Sequence, residues 1–140
     1  MRRTIGAIIG VVALASQAVQ AHHGYAGFFM DRTVTVEGDI EELRYANPHV
    51  VMKIRTADST LYTVTWQAAT WVAKQAAVTS STFKAGDHLI VAAAPARDPA
   101  SHELASVRVV RRPSDGWAWT RQTPFPPSSN YAGFVRNGSD

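Results

Sequence analysis

The sequence predicts a mainly β domain: a small five-stranded barrel with one helix between the third and fourth strands. Three observations carry that prediction. From residue 33 to residue 66 apolar side chains recur with a period of two, the pattern of strands with one buried face. The period changes over residues 70–77 to one compatible with a helix. Two further apolar runs then end at Pro95 and before Pro113, so the order reads three strands, a helix and two strands.

Each element has its own signal. Val34, Val36 and Ile40 alternate with Thr35, Glu37 and Asp39, and Gly38 interrupts the run. A glycine inside a strand marks a bulge or bend. Glu41-Glu42 then shifts the phase, so that Leu43 and Tyr45 resume the apolar side and the first strand reads as long and coiled. Asn47-Pro48 makes a turn, after which Val50, Met52 and Ile54 alternate with His49, Val51 and Lys53. Ala57-Asp58-Ser59 is a short hairpin connection, and in the third strand Tyr62, Val64 and Trp66 share one face. Thr70 is placed to cap a helix over residues 71–77 that ends near Val78-Thr79. Lys84-Ala85-Gly86-Asp87 turns the chain into a fourth strand over residues 89–94, and Leu104, Val107 and Val109 mark a fifth. This is the element order of the OB-fold, a partly open five-stranded barrel. A kinked first strand suits it, since that strand must join both curved sheets. A plain curled antiparallel sheet with one packed helix is the rival, and the barrel is preferred because closure limits exposed edges.

The barrel is assigned to residues 22–112, with a different character on either side. Met1-Arg2-Arg3-Thr4 is a basic start, residues 5–15 are apolar or small, and the more polar Ser16-Gln17-Ala18-Val19-Gln20-Ala21 follows. This pattern predicts a cleavable signal peptide over residues 1–21, because the apolar run falls short of the roughly 20 residues a spanning helix needs. Val19 and Ala21 favour a cut before His22, with Ser16 and Ala18 offering a competing site. The paired arginines also fit a twin-arginine signal, but any basic start can contain them, and the general secretory route is the simpler reading. The mature chain is thus expected to be periplasmic or secreted, with no transmembrane anchor. Residues 113–140 read as a flexible tail rich in Trp and Pro. Its Trp117, Trp119 and Phe125 suit intramolecular cover of an open barrel edge better than a partner or a membrane interface.

Composition removes several function classes. The chain has no cysteine, which excludes disulfides, thiolate metal sites, thiol nucleophiles and a lipidated N-terminal cysteine. Its formal charge is +3. Without Arg2 and Arg3, twelve Lys/Arg face eleven Asp/Glu, and no basic stripe of the kind that tracks phosphates remains. Nucleic acid is therefore an unlikely partner. No Gly-x-Ser-x-Gly elbow, His-Glu-x-x-His, phosphate loop or dinucleotide turn is present, so no enzyme is predicted. Glu41-Glu42 reads as a solvated bulge.

Several short motifs together resemble one family. His22-His23-Gly24-Tyr25-Ala26, Val36-Glu37-Gly38, Asn47-Pro48-His49, Lys84-Ala85-Gly86-Asp87 and Pro95-Ala96 are similar to those of small secreted bacterial proteins classed only as a domain of unknown function. The likeness runs from His22 to about Val110. Gly24 stands where serine is usual, and the Trp/Pro tail is additional. The resemblance implies no activity.

Two candidate sites follow from the residues. Cleavage before His22 gives that histidine a free α-amine, and amine plus imidazole can chelate one Cu(II), with His23 adjacent and His49 supplying a third nitrogen. A cut that retains Ala21 leaves Ala-His-His, another Cu(II) or Ni(II) motif. The plainer reading of these histidines is a mobile terminus and a turn. The second candidate is the strand-two and strand-three face that OB-folds commonly use, here Lys53, Tyr62 and Trp66. The function predicted is an exported, non-enzymatic module that binds a small ligand or an envelope protein, with a periplasmic copper-binding protein as the alternative.

Overall fold

The computed structural model describes residues 25–121. The expected signal peptide, His22, His23 and residues 122–140 lie outside the described residues. The chain builds β1 (Val34–Arg44), β2 (Val51–Thr56), β3 (Leu61–Thr65), α1 (Ala69–Ala76), β4 (His88–Pro95), β5 (Glu103–Arg112) and β6 (Trp117–Thr120). The sheet order is β3-β2-β1-β4-β5-β6, and a parallel β3–β5 pairing closes the first five strands into a barrel. With one α-helix among the described residues, between β3 and β4, this is the predicted architecture.

β1 makes closure possible. Its first half pairs with β4, from Val34↔Ala93 to Asp39↔His88, and its second half with β2, from Gly38↔Thr56 to Arg44↔Val51. The two partners overlap at Gly38 and Asp39, where the strand must coil most sharply. A Cβ on Gly38 would lie 2.2 Å from the Arg55 carbonyl oxygen, so only glycine permits this approach. The register shift between Ile40 and Glu42 is the predicted bulge. It leaves Glu41 and Glu42 both exposed and turns Leu43 back towards the core.

The apolar row of β2 faces inward as predicted, and of the two β3 faces left open by the sequence the one carrying Val64 and Trp66 is inside. Val50, Met52 and Ile54 are buried, as are Val64 and Trp66. Val72 of α1, Leu89 and Val91 of β4, and Leu104, Val107 and Val110 of β5 complete the core.

Three features differ from the sequence reading. Thr70 is not the helix cap: Ala68 holds that position with an extended backbone and no side-chain cap bond. The helix begins at Ala69, and the Thr70 amide donates instead to Asn47 Oδ1 at 3.4 Å. A side chain from the β1–β2 turn thus meets one of the helix's unpaired amides. In β5, Ala92↔Val109 is followed by Ala94↔Ala105, so residues 106–108 bulge, with Ser106 at a φ of +51°. Val109 consequently lies off the inward row formed by Leu104, Val107 and Val110, and is buried on the other side.

The third difference concerns the tail. Residues 117–120 form a sixth strand, β6, paired with β5 from Arg112↔Trp117 to Val109↔Thr120. Trp119 stacks at 5.0 Å on the buried Trp66 and at 6.1 Å edge-on to Trp71 of α1, while Trp117 meets Phe83 at 4.9 Å. The two tryptophans do cover the barrel, as ordered parts of it; Phe125 is outside the described residues. Opposite them, the segment before β1 is held by Arg108. This side chain is 2% exposed and donates to the carbonyls of Met30 (2.5 Å) and Arg32 (2.7 Å) and to the Thr33 hydroxyl.

Candidate functional site

The β2–β3 face proposed from sequence does not form as one surface. Cross-strand partners share a face. Lys53 pairs with Thr63, whereas Tyr62 pairs with Ile54, so Lys53 points outward while Tyr62 lies on the core side. Trp66 is a core residue, 2% exposed. Lys53 is paired at 2.5 Å with Glu42. Tyr62 is half-buried at one mouth of the barrel and meets the His102 ring edge-on at 5.3 Å. The ambiguity was one of phase: alternation defines two faces without saying which is inside.

His49 sits at the end of the barrel where β1 finishes, one residue before Val50, which exchanges backbone hydrogen bonds with Trp66 and Gln67. The N-terminal segment enters at the other end, where Phe29 N–H donates to Pro95 O and Arg97 N–H to Gly27 O. The eleven residues of β1 separate the two ends. His22 and His23, the other residues of the expected copper site, lie outside the described residues.

A cleft of about 630 Å³ lies elsewhere, on the outer surface where β1 passes between β2 and β4. Its lining includes Glu37, Asp39, Glu41, Arg55 and His88. The period of two sends Glu37 and Asp39 outward, and the β1–β4 register sets His88 opposite Asp39. The imidazole is held between two carboxylates, with Nδ1 2.7 Å from Asp39 Oδ1 and Nε2 3.1 Å from Glu37 Oε1. These contacts, Glu37 first and then Asp39, raise the His88 pKa, because a protonated ring donates to both while a neutral ring must turn a lone pair towards one. Across the cleft the Arg55 Nε donates to Glu41 at 2.5 Å. That bond holds the Glu41 carboxyl below its usual range and the Arg55 guanidinium above its own.

The carboxylates stand at opposite nitrogens of His88, so one metal ion cannot be held by all three groups. Among the described residues no group of three or more His, Cys, Asp or Glu is arranged to hold a metal. What the cleft offers is negative charge with one exchangeable proton. The side chains of Glu37 and Asp39 remain 61% and 65% exposed. Sequence reasoning placed both on a solvated strand face and read His88, beside a turn, as solvated or satisfied locally. The alternation around Gly38 was the only local signal, for the partner lies 49 residues away.

A second ion-pair network is structural. Arg112 bonds Asp87, Asp115 and the Thr82 carbonyl, fastening the turn before β4 to the β5–β6 connection. Burial alone pushes the Asp87 carboxyl up, but donation from Lys84 and Arg112 outweighs it and the net shift is downward.

Fold and cleft together define the chain as a small OB-like barrel protein carrying a charged cleft on its outer surface. Residues 9–105 match the model of a family of unknown function, DUF6152, and the chain belongs to that family. No curated protein matches it. No helix among the described residues is long and apolar enough to cross a membrane.

Proposed function

We propose that this protein is an exported, non-enzymatic binding module whose outer cleft takes a small cationic ligand or a basic segment of an envelope protein. One observation carries the reading: Glu37 and Asp39 converge on His88 at the rim of the outer cleft while most of each acidic side chain stays open to solvent. Its volume lies within the roughly 300–1,000 Å³ range of ligand sites. A cation arriving there meets two carboxylates whose present partner, the His88 proton, can leave. Export rests on the N-terminal segment read from sequence, and the absence of a catalytic role on the absence of any nucleophile–base motif.

The test is a two-dimensional NMR titration of residues 22–140 with spermidine and with short Lys- and Arg-containing peptides. Shifts should concentrate at residues 37–41, 55–57 and 88, and should vanish in a Glu37→Gln, Asp39→Asn double variant. Shifts confined to other surfaces, or equal responses in that variant, would overturn the reading.

A further inference from the structure

We propose that the open mouth of the barrel is a second binding site, which takes a small aryl-alkylammonium: one aromatic ring with a short chain ending in a charged amine. The site is separate from the outer cleft and does not depend on it. The two ends of the barrel differ. At one end α1 closes the interior, where Tyr45 and Asn47 from the β1–β2 connection meet the helix's first residues, Ala69 and Thr70. At the other, where β1 and β5 begin and β4 finishes, a pocket of about 190 Å³ opens. Its apolar wall follows from register. Val34 and Val36 of β1 pack with the core, and Leu104 of β5 lies between Val64 and Pro95 as the first inward residue of its strand. Tyr62, on the core side of β3, stands over this wall with the His102 ring edge-on to it at 5.3 Å.

The rim sets the charge of the ligand. Among the described residues, Asp98 and Glu103 lie on the lining and no Lys or Arg does. The adjacent Arg97 is engaged elsewhere, its Nε donating to Ala26 O at 2.9 Å and its guanidinium lying over the Phe29 ring. The Glu103 carboxylate, the Tyr62 hydroxyl and the His102 ring nitrogens have no hydrogen-bond partner among the described residues. Asp98 uses one oxygen to accept from the Ala100 amide at 3.0 Å and keeps the other open. That bond, the Ser101 hydroxyl donating to Asp98 O at 2.9 Å, and the fixed φ of Pro99 hold the rim in place before a ligand arrives. A ring seated on the aliphatic wall meets the Tyr62 and His102 rings. Its ammonium then reaches the carboxylates and the Tyr62 face. The volume limits the ligand to one ring, since a cavity of about 150 Å³ holds benzene.

Phenethylamine is the probe, titrated by NMR into residues 22–140. Its ring protons should show nuclear Overhauser contacts to the methyls of Val34, Val36 and Leu104, with saturable shifts at residues 62 and 102. Benzyl alcohol, a ring without charge, and butylamine, a charge without a ring, should each bind at least about fivefold more weakly. An Asp98→Asn, Glu103→Gln variant, in which Asn keeps the turn's cap, should weaken phenethylamine about fivefold. His102→Asn, which tolerates the left-handed backbone at φ +50°, should weaken it about threefold. All three positions are exposed, so the fold is kept. Glu37→Gln, Asp39→Asn, which disarms the outer cleft, should leave this binding unchanged, so each site fails separately. Absence of saturable binding, shifts at residues 37–41 and 88 alone, equal affinity for benzyl alcohol, or unchanged affinity in either rim variant would overturn the site.

Discussion

Gly38 and His88 show how single residues act through strand geometry. At Gly38 the side chain is excluded by a neighbouring backbone, which cannot swing aside as a flexible side chain does. Gly38→Ala should therefore cost about 3 kcal/mol or more, measured by urea denaturation, although alanine is favourable at many exposed positions. A cost below about 1 kcal/mol would mean that β1 can relax there. His88 sets a pH dependence. Its pKa is raised in the folded chain, so its contribution is fully present below the ordinary imidazole value and is lost as pH rises through the raised one. The group is well exposed, so solvent screening keeps the effect small. Thermal melts from pH 5 to 9 should show wild type losing more stability on the alkaline side than His88→Gln; parallel curves would count against it.

At the level of elements, the helix start and the last strand depend on contacts from distant parts of the chain. The Thr70 hydroxyl makes no cap bond, so Thr70→Ala should change stability by less than about 0.5 kcal/mol, where loss of a true cap costs about 1. β6 contributes through its tryptophans. Trp119 joins Trp66 of the core to Trp71 of the helix, and Trp119→Ala should cost about 2 kcal/mol, less than a fully buried ring. Trp66 fluorescence should shift to the red as water enters. If residues 117–120 were dispensable, neither change would appear.

For the whole molecule, Arg108 matters most. It holds the segment before β1 on the outside of β5 from a nearly fully buried position. Arg108→Met keeps much of the volume but leaves the carbonyls of Met30 and Arg32 without these donors, a loss of about 3 kcal/mol. Hydrogen exchange should then quicken at Phe29 and Arg97, whose amides are donated between this segment and the β4–β5 loop. Protection unchanged at both would show that the strap holds without Arg108.

The order of the elements, the inward rows of β1 and β2 and the bulge at Glu41-Glu42 were legible in the sequence, because a period of two and a glycine inside it are local facts about backbone geometry. The absence of thiol chemistry was equally plain from composition. Tertiary structure alone decided which face of Tyr62 and Trp66 is inside, since that depends on the direction in which the sheet curls. It also decided that residues 117–120 pair with β5, that Asn47 meets the helix in place of Thr70, and that His88 meets Asp39 across 49 residues of chain. Each of these needs a register between distant segments, and register is fixed only when the barrel closes and its core packs.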